Sequence, residues 1–225
     1  MDETAFFEQL RPETETAFQK SPVRTKQDSL ERQWSYSLCA TPIQRRRGVI
    51  FGLNWGGGGE QDVDPETGNF FVYTPQTQMP DGSDIEDYRF ISQSLSLFNE
   101  HLGINTLSEI NYTNLCFFRT PTIADLEEED WNLSRPLFLS FVEFVAPLWL
   151  LMLSTSGLWK LQELDLLSNM KEHSVVQGTR TCWSYSAEMF GRPFVAVPHP
   201  QAHLKSEVRS QLWELACNNL KINHP

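Results

Sequence analysis

The groups in this chain best suited to chemistry on a bound ligand are carboxamides and one imidazole at the ends of apolar strands. Asn54 follows Val49, Ile50, Phe51, Gly52 and Leu53, and is followed by Trp55 and four glycines, Gly56 to Gly59. A carboxamide is a poor base, but it donates and accepts hydrogen bonds at once, so a fixed one orients water or a polar ligand edge. Glycines let a ligand approach the backbone closely and permit positive φ, which gives Asn54 room on one side. The same stretch also reads as a flexible turn after a core strand. A phosphate-cradling loop fits less well, because the Lys-Ser/Thr ending of a P-loop is missing. Asn111 and Asn114 in NYTNLCFFR, and His199 in VPHPQAHL, occupy similar places further along.

Those residues need strands to deliver them. Four runs are expected to be core strands: Gly48 to Asn54, Tyr112 to Phe118, Leu148 to Leu153 and Phe194 to Val197. Helical periodicity is expected over Asp87 to Leu102, from Ser134 or Pro136 to Ala146 with Ser134 as N-cap, from Ser156-Gly157 through Leu164, and over Ser206 to Leu220. Thr181 to Ser186 adds a strand or extended segment. Glu3 to Lys20 and Asp28 to Trp34 read as helices interrupted by Pro12 and Pro22, making residues 1–44 a helical arm packed on a main domain of residues 45–225. Alternating strands and helices imply an α/β fold, a three-layer α/β/α sandwich around a mainly parallel four-stranded sheet. In such sheets ligands bind beyond the carboxyl ends of the strands, where Asn54, Asn114 and His199 all fall.

Composition narrows the function classes. A net charge of −11 with pI near 4.9 argues against a long nucleic-acid footprint, which depends on neutralising many phosphates. Arg45, Arg46 and Arg47 form a basic cluster that reads equally as a solvated run, and Arg119, Lys205 and Arg209 are isolated cations near expected loops. Cys39, Cys116, Cys182 and Cys217 are widely spaced with no CxxC pair, as expected of reduced structural thiols rather than a zinc or iron–sulfur site. No apolar run reaches the ~20 residues of a membrane span, and the acidic N-terminus lacks a signal-peptide pattern, so a cytoplasmic, nucleoid-associated protein is expected if the source is bacterial.

Taken together, GLNWG at Gly52 to Gly56, NYTNLCFFR at Asn111 to Arg119 and VPHPQAHL at Val197 to Leu204 resemble the uracil-DNA glycosylase superfamily. The likeness is greatest to its single-strand-selective monofunctional and mismatch-specific branches, whose first motif is a strand followed by G-[MI]-N-P-G and whose second ends in H-P-S or a variant. It spans about Gly48 to Leu204. The resemblance implies that Asn54 positions the hydrolytic water, with Gly52, Leu53, Trp55 and Gly56 around it. It implies that His199 stabilises charge on the departing base, and that Asn114 reads the base edge, with Asn111 as the alternative register. Phe70 or Phe71 would stack on a flipped base, while Gln201, His203, Leu204 and Lys205 would meet DNA, Leu204 as the wedge.

The implied protein is a monofunctional DNA glycosylase that flips a uracil or modified base and hydrolyses its N-glycosidic bond, working as a monomer on single- or double-stranded DNA without metal or cofactor. No lysine falls in the three motifs to form a Schiff base. Three features depart from the family. Trp55 replaces a proline, Gln201 and Ala202 replace Ser-Pro with loss of a phosphate-binding hydroxyl, and the acidic surface suits a protein partner as well as a duplex. A catalytically weak member that binds a modified base or a protein is therefore the alternative. An unrelated α/β hydrolase is disfavoured, because no G-x-S-x-G motif is present.

Overall fold

A computed structural model describes residues 1–30, with 27–30 described by backbone alone, and residues 36–55, 89–120, 122–218 and 220. Its helices are α1 (Glu3–Gln19), α2 (Pro22–Leu30), α3 (Arg89–Leu102), α4 (Glu128–Val145), α5 (Leu158–Glu163) and α6 (Ser206–Cys217). Its strands are β1 (Gly48–Trp55), β2 (Ile110–Arg119), β3 (Leu150–Met152), β4 (Leu167–Gln177), β5 (Arg180–Met189) and β6 (Arg192–Ala196).

The strands form one mixed six-stranded sheet in the order β2-β1-β3-β6-β5-β4. The four expected strands make up its parallel half: β1 pairs in parallel with β2 and β3, and β3 with β6. The expectation of a four-stranded sheet fails at the other half, where β5 pairs antiparallel with both β6 and β4. A two-residue turn opening on Gly178, at φ +63°, closes the β4–β5 hairpin. As an edge strand, β4 is exposed or half-buried along its whole length and carries polar residues on both faces, so it lacks the apolar alternation that announces a strand.

Helices cover both faces. Phe6, Leu10 and Phe18 of α1 share one core with Phe138, Phe141 and Val145 of α4 and with Val49 and Phe51 of β1. On the opposite face Ile50, Ile110 and Tyr112 pack with Leu95 and Phe98 of α3 and Trp213 of α6. Alternation along β1 thus places Val49 and Phe51 against one layer and Ile50 against the other.

Two helix boundaries differ from expectation for identifiable reasons. Pro12 does not break α1: the carbonyl it leaves unpaired belongs to Glu8 on the exposed side, while Phe6, Leu10, Thr14 and Phe18 bury a stripe at spacings of four. Helix α4 starts six residues before Ser134, because Glu127 and Asp130 form a capping box in which the Glu127 amide donates to Asp130 Oδ2 at 2.8 Å. Ser134 is interior, and its Oγ accepts from Phe117 N at 2.8 Å, joining α4 to β2. Asp130 Oδ1 also accepts from Val23 N at 3.2 Å, which fastens the start of α2 to α4.

Candidate active site

The carboxyl ends of the parallel strands gather the site. At the end of β1 the ladder with β2 is irregular: Asn54 faces Cys116, but the next residue, Trp55, faces Arg119. Two extra residues of β2 are looped out there, and bulges of this kind re-aim the side chains beside them. The Asn54 amide consequently turns toward the segment just after β2. Its Nδ2 donates to Thr120 Oγ1 at 2.8 Å and to the Thr120 carbonyl at 3.2 Å, and the Thr120 amide donates to the Trp55 carbonyl at 3.2 Å. Asn54 is half-buried, and its Oδ1 has no hydrogen-bond partner among the described residues.

Asn114 stands across the ladder from Gly52, on the same face of the sheet. Its side chain is almost wholly buried yet makes no hydrogen bond among the described residues. Asn111 has the opposite character. Its Oδ1 accepts from Gln44 N at 2.7 Å, and its Nδ2 donates to the carbonyls of Gln44 at 2.8 Å and Gly48 at 3.3 Å. With every polar atom engaged at the amino end of the strand, Asn111 is a structural clamp, and the alternative register that would have made it the reading residue is set aside.

His199 follows β6 in a turn anchored by Trp213 Nε1, which donates to the Pro198 carbonyl at 3.1 Å. Its Nδ1 accepts from Gln201 N at 3.2 Å, so the neutral imidazole carries its proton on Nε2. Loss of solvation, and then the nearby Arg209 guanidinium, hold its pKa below the usual imidazole value of 6.5. Phe90, in the first turn of α3, stacks on the ring with centroids 5.0 Å apart and planes 14° from parallel. From Phe90 the aromatic contacts continue to Tyr112 at 6.5 Å and from Tyr112 to Trp55 at 5.9 Å. An arc of rings therefore runs from the end of β1 to the turn after β6, along the face that carries Gly52 and Asn114. Because β3 lies between β1 and β6, the Asn54 and His199 strands are about 10 Å apart.

Beyond His199, the residues Gln201, His203, Leu204 and Lys205 line a cavity of about 610 Å³ together with Arg89 and Arg209. Arg209 also braces the turn, since one guanidinium nitrogen donates to the Ala202 carbonyl at 2.7 Å. Leu204 is half-buried and packs against Cys182, Val208 and Leu212, so it serves the core as well as the cavity. The Arg45 to Arg47 cluster lies elsewhere: it leads into the amino end of β1, with Arg45 Nε donating to the Phe144 carbonyl at 3.2 Å. Leu53 faces the other layer, where a Cβ on Gly157 would meet its Cδ2 at 2.2 Å. Gly56, Phe70 and Phe71 lie outside the described residues.

Cys116, opposite Asn54, is fully buried, and burial pushes its thiol up to about 12, so it stays protonated and unreactive at neutral pH. All four cysteines are buried thiols outside any disulfide. Among the described residues no helix is long and apolar enough to cross a membrane.

Three contributors were not singled out from the sequence: Thr120, Tyr112 and Phe90. Tyr112 was within reach of strand alternation, since it lies two residues before Asn114 and shares its face. Phe90 read as one apolar residue of a helix stripe, and nothing local marks Thr120. No protein-family model matches the chain, and no curated protein matches it.

Proposed function

We propose that this protein is a monofunctional DNA glycosylase that hydrolyses the N-glycosidic bond of a flipped uracil or modified pyrimidine. The observation that carries the reading is that Asn54, near the end of β1, leaves its Oδ1, and Asn114, opposite Gly52 on the neighbouring parallel strand, leaves its whole side chain without a hydrogen-bond partner among the described residues. Asn114 offers a donor and an acceptor to a pyrimidine edge. Asn54 Oδ1 accepts from a water and turns its lone pair toward C1′ of the sugar. As the glycosidic bond breaks, electrons pass to the base, and the His199 Nε2 proton stabilises the negative charge at the base oxygen. Water adds to C1′ and its proton passes, directly or through solvent, to the base anion, leaving an abasic sugar and the neutral free base. Arg89, Lys205 and Arg209 would meet a few phosphates, a short footprint that an acidic protein can support.

The test is base release from single-stranded and duplex oligonucleotides carrying uracil and a panel of modified pyrimidines, read as alkali-labile sites. Wild type is expected to produce such sites, and Asn54→Ala and His199→Ala to lose them. Equal release by both variants and wild type overturns the assignment of these residues.

One observation favours a second reading, a module that binds a modified base without cleaving it. Phe90 covers one face of the His199 ring, which suits a fixed wall of a binding pocket. Tight binding of a modified oligonucleotide, retained by Asn54→Ala and with no release by wild type, would select that reading.

A further inference from the structure

The bonding at Asn54 goes beyond its choice as a site residue, because it determines which end of the amide faces the ligand. We infer that Thr120 is a positioning residue that locks the Asn54 carboxamide with Oδ1 toward the site, so that Asn54 acts there only as a hydrogen-bond acceptor. This inference rests on the glycosylase reading for its consequence in catalysis, though not for the bonding itself.

Thr120 is fully buried. Its hydroxyl donates to the Thr122 carbonyl at 2.8 Å, which fixes the direction of its one proton. The lone pairs of Oγ1 are then what Asn54 meets, and Nδ2 donates to them at 2.8 Å. The Thr120 carbonyl takes a second contact from Nδ2 at 3.2 Å, and the Trp55 carbonyl a longer one at 3.5 Å. Among the described residues, every group that Nδ2 meets is an acceptor. A flipped amide would set Oδ1 against three oxygens, so the observed orientation follows from the chemistry of its partners. The two residues looped out of β2 beside Asn54 bring Thr120 within reach; a regular ladder would have carried it past.

This arrangement has a consequence for substitution at Asn54. An aspartate is a better base than an asparagine, yet Asn54→Asp would turn a carboxylate toward the Thr120 and Trp55 carbonyls with no proton to offer them. Substitution by the stronger base is therefore expected to impair the site.

The experiment compares Thr120→Val, which keeps the shape and removes the hydroxyl, with Thr120→Ser, which restores it. Thermal unfolding checks that both variants fold. Single-turnover base release by Thr120→Val is expected to fall about tenfold to a hundredfold with KM nearly unchanged, and Thr120→Ser to recover most of the rate. Independently of activity, the side-chain amide signals of Asn54 in a ¹⁵N spectrum, assigned by their loss in Asn54→Asp, are expected to shift and exchange faster in Thr120→Val but not in Thr120→Ser. A Thr120→Val variant that folds and keeps the wild-type rate overturns the inference while leaving the glycosylase reading intact. Absence of base release by wild type overturns that reading instead. The amide signals then decide the lock alone: unmoved in Thr120→Val they refute it, moved they sustain it.

Discussion

Asn114 occupies the space that a side chain at Gly52 would need: a Cβ built on Gly52 would lie 2.4 Å from Asn114 Oδ1. The two residues face each other across the β1–β2 ladder, so the glycine is the reason a buried carboxamide can lie flat on the neighbouring strand.

Gly52→Ala should therefore act through Asn114. Its methyl group would push the amide out of place, and kcat/KM for base release is expected to fall about tenfold to a hundredfold, roughly the effect of mispairing one specific hydrogen-bonding group. A double-mutant cycle checks the route. Once Asn114→Ala is present, Gly52→Ala should add little, whereas simple additivity would mean that the two residues act separately.

The pH profile follows from His199. Its folded pKa lies below the unfolded value, so the neutral Nε2 donor persists to more acidic pH than for a free imidazole. The acid limb of kcat/KM attributable to this group should fall below pH 6.5. Stability carries the same sign: this group's contribution is complete above the unfolded pKa and is lost as pH falls through the folded one. Arg209→Gln, which removes the neighbouring charge, should move the limb upward, as measured by the pH–rate profile and by NMR titration of the imidazole. A limb that does not move would show that Arg209 has no influence on it.

Salt dependence tests the footprint. With Arg89, Lys205 and Arg209 as the cations around the cavity, the slope of log affinity against log salt for a single-stranded oligonucleotide should be about −2, and Lys205→Ala should reduce it by somewhat less than one. A slope several times steeper would mean that a large basic surface is at work.

At the opposite end of β1, packing sets the limit. A Cβ on Gly48 would lie 2.0 Å from the buried Trp149 ring, so Gly48→Ala forces ring and strand apart. Overpacking of this kind costs about 1–3 kcal/mol, to be read as a lower denaturant midpoint.

The parallel half of the sheet was legible because each of its strands is an apolar run ending in polar or small residues, and burial on both faces demands that pattern. The same logic placed Asn54 near the end of β1 and His199 just after β6, whereas Asn114 lies midway along β2, opposite Gly52. The β4–β5 hairpin was not legible as a whole: β4 is an edge strand whose exposed positions lie on both faces. The start of α4 was misplaced because Ser134 read as its N-cap, when Glu127 and Asp130 form the cap, the helix starts six residues earlier and Ser134 is interior. Thr120 could not be found from sequence, because its role depends on a bulge that brings it back to Asn54. The ring arc escaped notice for a related reason, since Phe90 and His199 are far apart in the chain and meet only through tertiary packing.

The most direct measurement is single-turnover base release from an oligonucleotide that the wild type cleaves, compared among wild type, Asn54→Ala and His199→Ala, with binding affinity measured alongside. The account predicts that each substitution lowers the rate by about a hundredfold to a thousandfold while the affinity changes little. Wild-type rates in both variants would contradict it.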